Sequence, residues 1–119
     1  MTDVDLGLVV GKDGKDGGVV VGEKQTAASG ITCRKIGDAL VEMDMYVASI
    51  SLQATSWGDV ATISEEFWPK DTIFFLVTYR SGQSIPAFIY INAKGKIFGM
   101  SCSGYVTGGV LQGHFIYSL

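Results

Sequence analysis

Few side chains in this chain carry reactive chemistry, and their spacing limits what they could do. There is one histidine, His114. No Gly-x-Ser-x-Gly elbow occurs, and Cys102, within Ser101-Cys102-Ser103-Gly104, has no base at a readable spacing. A nucleophilic triad is therefore not written here. With one histidine, the two cysteines fall short of the four ligands of a structural zinc site. Nor do they make a disulfide framework. Each sits in an apolar or small-residue strand context, so Cys33 and Cys102 read as two reduced, mostly buried thiols. The spacing Gly11-Lys12-Asp13-Gly14-Lys15-Asp16-Gly17 is neither a P-loop nor a dinucleotide fingerprint, and no cofactor is implied.

Carboxylates offer more. Glu42 and Asp44 lie two apart on one strand face, about 6.5 Å, and Glu65-Glu66 sit at a corner. Glycoside hydrolysis needs two carboxylates about 5–10 Å apart across a sugar, which keeps a polysaccharide depolymerase as an alternative. A solvated strand face explains the same pair, because Val41, Met43 and Met45 alternate with them. Non-covalent sugar binding uses aromatic platforms and a few polar groups in shallow grooves. Trp57, Trp68, Tyr46, Tyr79, Tyr90 and Tyr105 are available for it. Trp57 stands beside Gly58-Asp59 in an expected loop, where a ring and a carboxylate could edge a ligand. Trp68, just before Pro69, reads as structural and closes a corner.

Such side chains need strands to hold them, and the composition allows one modest core. The 119 residues are 47% hydrophobic and only 18% charged. That points away from disorder and towards apolar surface hidden in a subunit interface. The net charge of −3 and the absence of a basic stripe exclude nucleic acid as a natural partner. No apolar run approaches the ~20 residues of a membrane helix. The charged residues Asp3, Asp5, Lys12, Asp13, Lys15 and Asp16 do not suit a signal peptide, so the expected place of synthesis is the cytoplasm, without standard export.

Along the chain, Val4-Leu6-Leu8-Val10 alternates as a short N-terminal strand. The following Gly-x-y triplets read as a flexible linker, or as the stub of a collagen-like triple helix, where glycine at every third position lets three chains meet. Val19-Val20-Val21 is β-like, and Glu23–Gly30 is a polar loop. The dense part starts at Ile31: strands over Ile31–Ile36 and Ala39–Leu52, the second bent or bulged near Ala48-Ser49 because it exceeds an ordinary strand. Val60–Ile63 is a short strand, Glu65–Pro69 a corner, and Ile73–Tyr79 a strand apolar on both faces. One of those faces should meet the core and the other a second protomer. Ile85–Ile91 and Lys96–Ser101 form a hairpin around Asn92-Ala93-Lys94-Gly95. Gly104–Gly109 reads as a glycine-rich loop and Gly113–Leu119 as the last strand. Eight to ten strands at this spacing give an all-β antiparallel sandwich or barrel.

The order of these pieces resembles the head domain of receptor-binding proteins from phages of Gram-positive bacteria, lactococcal phages above all. The aromatic-proline corner Phe67-Trp68-Pro69, the apolar strand Ile73–Tyr79, the Asn92–Gly95 hairpin and the last short strand carry the resemblance, over roughly Ile31–Leu119. It implies a homotrimeric head (31–119) behind a neck and linker (1–30), at the tail tip or baseplate of a virion. It also implies adhesion to a cell-wall saccharide of the host and contact with other tail proteins. The family's ligand positions fall on Phe88, Tyr90 and Met100, not on its His, Asp and Trp, and no Arg follows Arg80. The scaffold therefore matches better than the site. The candidate saccharide-binding residues are Tyr90, Met100, Tyr105, Trp57 and Asp59. A C1q- or TNF-like trimeric module and a structural baseplate or fibre component are the other readings.

Overall fold

The computed structural model describes residues 20–119. The expected strand Asp3–Val10 and the Gly-x-y stretch lie outside the described residues. Eight strands follow: β1 (Gln25–Ala28), β2 (Ile31–Ile36), β3 (Leu40–Leu52), β4 (Gly58–Thr62), β5 (Ile73–Ser81), β6 (Gln83–Ile91), β7 (Lys96–Ser101) and β8 (Val106–Ser118). They form one antiparallel sheet in the order β1-β2-β3-β8-β5-β6-β7-β4. The sheet rolls into a nearly closed barrel. Its two ends meet at Ser64, whose amide and hydroxyl both donate to the Ala27 carbonyl at 3.2 Å.

The barrel has two halves. β1-β2-β3-β8 and β5-β6-β7-β4 join where Thr78, Tyr79 and Arg80 pair with Gln112, Leu111 and Val110. Beyond that junction β5 and β8 diverge, and the inward rings of Phe75 and Phe115 stack across the gap, centroids 3.9 Å apart. Period-two alternation fills the interior. Val41, Met43 and Met45 from β3 face Ile31 and Cys33 from β2, with Ala87, Ile89 and Ile91 from β6 and Ile97 from β7 all buried. A short 3₁₀ turn, Glu65–Phe67, drives Phe67 into one end of the barrel, where it is 1% exposed. There the Tyr117 hydroxyl donates to the Phe67 carbonyl at 2.7 Å. The corner is closed as expected: Trp68 Nε1 donates to the Ile63 carbonyl at 2.9 Å.

The expected irregularity in β3 is present. Val47 pairs with Leu111 and Ile50 with Gly109, so three steps on β3 match two on β8. The extra residue is accommodated at Ser49, the one described non-glycine residue with positive φ (58°).

Three expectations are corrected. Gln25–Ala28, read as polar loop, is strand β1, because backbone pairing with β2 does not need apolar side chains at an edge. The segment read as loop at Gly104–Gly109 contributes Val106–Gly109 to β8, which then runs on to Ser118. Here Gly109 is required by packing, since a Cβ would collide with the Tyr79 ring and the Arg80 carbonyl. Cys102 is exposed while Cys33 is buried; alternation turns Ser101 inward and Cys102 outward as the chain leaves β7. Burial pushes the Cys33 thiol up to about 12, against a hydrogen bond with Tyr117 that lowers it. Strand β5 turns one face to the core, as expected, and leaves the other open in the single chain, with Phe74 67% and Leu76 64% exposed.

Candidate functional site

The outer face of β5-β6-β7-β4 is an aromatic platform built by register. The turn at Gly82 sets Phe74 opposite Tyr90 and Leu76 opposite Phe88. The Asn92–Gly95 turn sets Tyr90 opposite Phe98 and Phe88 opposite Met100. Asn92 makes that turn rigid, its Oδ1 accepting from the amides of Lys94 and Lys96 at 2.9 and 3.0 Å. β4 adds Asp59 opposite Phe98. One row therefore reads Phe74-Tyr90-Phe98-Asp59, and the next Leu76-Phe88-Met100.

Trp57, from the connection between β3 and β4, folds over this face. Its ring stands nearly perpendicular to Tyr90 (82°) at 4.7 Å and 6.4 Å from Phe74. Tyr90 in turn stacks on Phe98 at 4.8 Å and tilts against Phe74 at 5.4 Å. At the margin Lys96 Nζ lies 5.4 Å from the Phe98 ring centre and 3.6 Å from Asp59 Oδ2. Such a surface offers ring faces for the C–H side of a sugar and, at one edge, a carboxylate and an ammonium for its hydroxyls.

Of the five candidate residues, the structure groups Trp57, Tyr90 and Asp59 closely and sets Met100 in the adjacent row. Tyr105 stands apart. It is 65% exposed in the loop ahead of β8 and meets no other aromatic ring among the described residues. Phe74 and Phe98 complete the platform although neither was a candidate; the two turn centres, Gly82 and Asn92–Gly95, carry the signal that pairs them with Tyr90. The face of β5 expected to meet another protomer and the face of β6 expected to meet a saccharide are one continuous surface.

Of the carboxylates weighed for hydrolysis, Glu42 and Asp44 lie on the opposite half with His114 between them, while Glu65 and Glu66 open the 3₁₀ turn. His114 Nε2 is 2.7 Å from Glu42 Oε2 and 3.7 Å from Asp44 Oδ1. Arg34 Nε donates to Glu42 Oε1, and Lys24 Nζ to Asp44 Oδ2 at 2.9 Å. The Arg34 hydrogen bond first, then that of His114, holds the Glu42 carboxyl below the usual range. A general acid for glycoside cleavage needs the opposite shift.

The chain matches no protein-family model and no curated protein sequence.

Proposed function

We propose that this chain is the head of a homotrimeric phage receptor-binding protein, carried at the tail tip or baseplate, that adheres to a cell-wall saccharide of a Gram-positive host without cleaving it. The observation that carries the reading is the packing of Trp57 edge-on against Tyr90, beside the Asp59–Lys96 pair. Aromatic rings held by three strands and a loop give a preformed stacking surface, and the charged pair supplies direction. Glu42 is already engaged by Arg34 and His114, the arrangement of an ion-paired strand face, which supports adhesion over depolymerisation.

Trimer formation is supported by the remainder of the same face. Phe74, Leu76 and Phe88, from two adjacent rows, leave an apolar patch open to solvent in the single chain, the kind that marks an interaction surface. Neighbouring protomers cover the Phe74–Leu76 side, so the saccharide meets the Trp57–Asp59 side at a protomer boundary. A structural baseplate or fibre component is the second reading, favoured by that same open patch, with other virion proteins covering the whole face.

Labelled protein on Gram-positive cells, with light scattering behind size exclusion, tests both parts. The expected mass is three times 12.7 kDa. Tyr90→Ala should weaken cell decoration about tenfold while the trimer persists. A monomer would sink the architecture. Unchanged decoration with both Tyr90→Ala and Trp57→Ala would remove the platform from the contact.

A further inference from the structure

The other half of the barrel carries a groove that the platform reading leaves unused. Register lines up Thr32, Asp44 and His114 across β2, β3 and β8, and Tyr46 beside Gln112 one row along. All five sit on the outer face, because Met43 and Met45 between them point inward. Together with Gly30 they line a concavity of about 650 Å³, within the ~300–1,000 Å³ range of small-ligand sites. Gly30 is fixed in place by φ of 79° and by donation from the Tyr46 amide to its carbonyl at 2.7 Å, so the groove wall is preformed.

We propose that this groove binds a neutral polyhydroxyl ligand of monosaccharide size, independently of the platform. Three observations select that class. Tyr46 is 52% exposed and stacks on no other ring among the described residues, so its face is offered to the groove. The side chains of Thr32, Tyr46 and Gln112 make no hydrogen bonds among the described residues. Between them they donate and accept, as a sugar hydroxyl does. The charges are already balanced: Lys24 sits on Asp44 and Arg34 on Glu42, with His114 between the carboxylates. Neither an anion nor a cation gains a free counter-charge there, whereas a neutral ligand loses nothing to repulsion.

The test is a titration of the full, ¹⁵N-labelled chain with D-glucose, N-acetyl-D-glucosamine, L-rhamnose and glycerol, and with D-glucuronate as the charged comparison, followed through amide shifts. At least one probe should give saturable shifts at Asp44–Tyr46 and Gln112–His114, including the Gln112 side-chain amide. Tyr46→Ala and Gln112→Ala should each weaken that binding about tenfold, while Trp57→Ala leaves it unchanged. Circular dichroism confirms that both groove variants stay folded. Saturable shifts at Trp57 and Tyr90 alone would overturn the groove and leave the adhesion reading standing. No saturable shift with any probe would also overturn it, and the cell-decoration assay would still judge the platform. D-glucuronate binding tenfold tighter than D-glucose would overturn the neutral class.

Discussion

The Tyr79 hydroxyl donates to the Ile50 carbonyl at 2.9 Å, across the bulge that the extra residue makes in β3. It also accepts from the Gly109 amide at 2.7 Å. A fully buried phenol thus replaces the ladder hydrogen bonds that the bulge interrupts, satisfying one acceptor and one donor. Tyr79→Phe keeps the ring and strands both groups. Urea unfolding should show a loss of about 1–3 kcal/mol with an unchanged slope. A loss within error would mean that water or a shifted backbone replaces the phenol.

Gly95 and Gly82 both have positive φ, 74° and 84°, but their surroundings differ. A Cβ at Gly95 would run into the Trp68 ring, held in place by its bond to Ile63, whereas nothing lies within 4 Å of a Cβ at Gly82. Gly95→Ala should therefore cost at least about 2 kcal/mol, combining left-handed strain with overpacking. Gly82→Ala carries only the strain, about 1 kcal/mol. Equal losses in thermal unfolding would show that the Trp68 contact gives way freely.

The parts legible in the sequence are those that local rules determine. Ile85–Ser101 is readable because Asn92–Gly95 sets the pairing of its own flanks, so the inward set Ala87, Ile89 and Ile91 follows from period two. The Trp68 corner and the β3 bulge are readable for the same reason, one from proline and the other from strand length. What escapes is non-local. His114 reads as solitary because Glu42, its partner, lies 72 residues away and is reached only once β3 pairs with β8. β1 escapes because an edge strand with few apolar residues carries no periodic signal. Trp57 is a candidate from its place beside Gly58-Asp59 and Tyr90 from its position on the resembled hairpin; their contact depends on how the loop after β3 folds back over β5 and β6.

The two thiols should separate cleanly. Cys102 is exposed and should react at once with a disulfide reagent at neutral pH, giving one equivalent per folded chain, and Cys33 should appear only on unfolding. Raised to about 12, the Cys33 thiol stays protonated in the folded chain while the unfolded chain ionises near its ordinary value of about 8.5. The unfolded state then holds fewer protons, so stability from this group is full below pH about 8.5 and falls as pH rises above it. Cys33→Ala should flatten that alkaline slope. Two fast equivalents would mean that β2 is open in solution.

Glu42 acts at the other end of the pH scale. Its folded value is depressed by Arg34 and then His114, so its contribution is present above the unfolded value of about 4.3 and disappears as pH falls through the lower folded value. Glu42→Gln should lower stability at pH 7 and shrink the acid-side loss below pH about 4.3. Added salt should narrow the gap between the two proteins, since Arg34 and His114 are partly exposed. An identical acid limb in both proteins would show that the pair persists in the unfolded chain.

Ser64 fastens the rolled sheet through a single carbonyl, that of Ala27. Because its two bonds lie outside every strand ladder, the barrel can breathe at this clasp with all seven strand pairings intact. Hydrogen exchange at the Ser64 amide should then outpace that of β3 and β8, the longest ladder. Such opening works as a latch on the end sealed by Phe67, where solvent would enter first. A hydroxyl-free residue at position 64 loosens the latch without touching the strands, which makes the lifetime of the closed barrel adjustable independently of its fold.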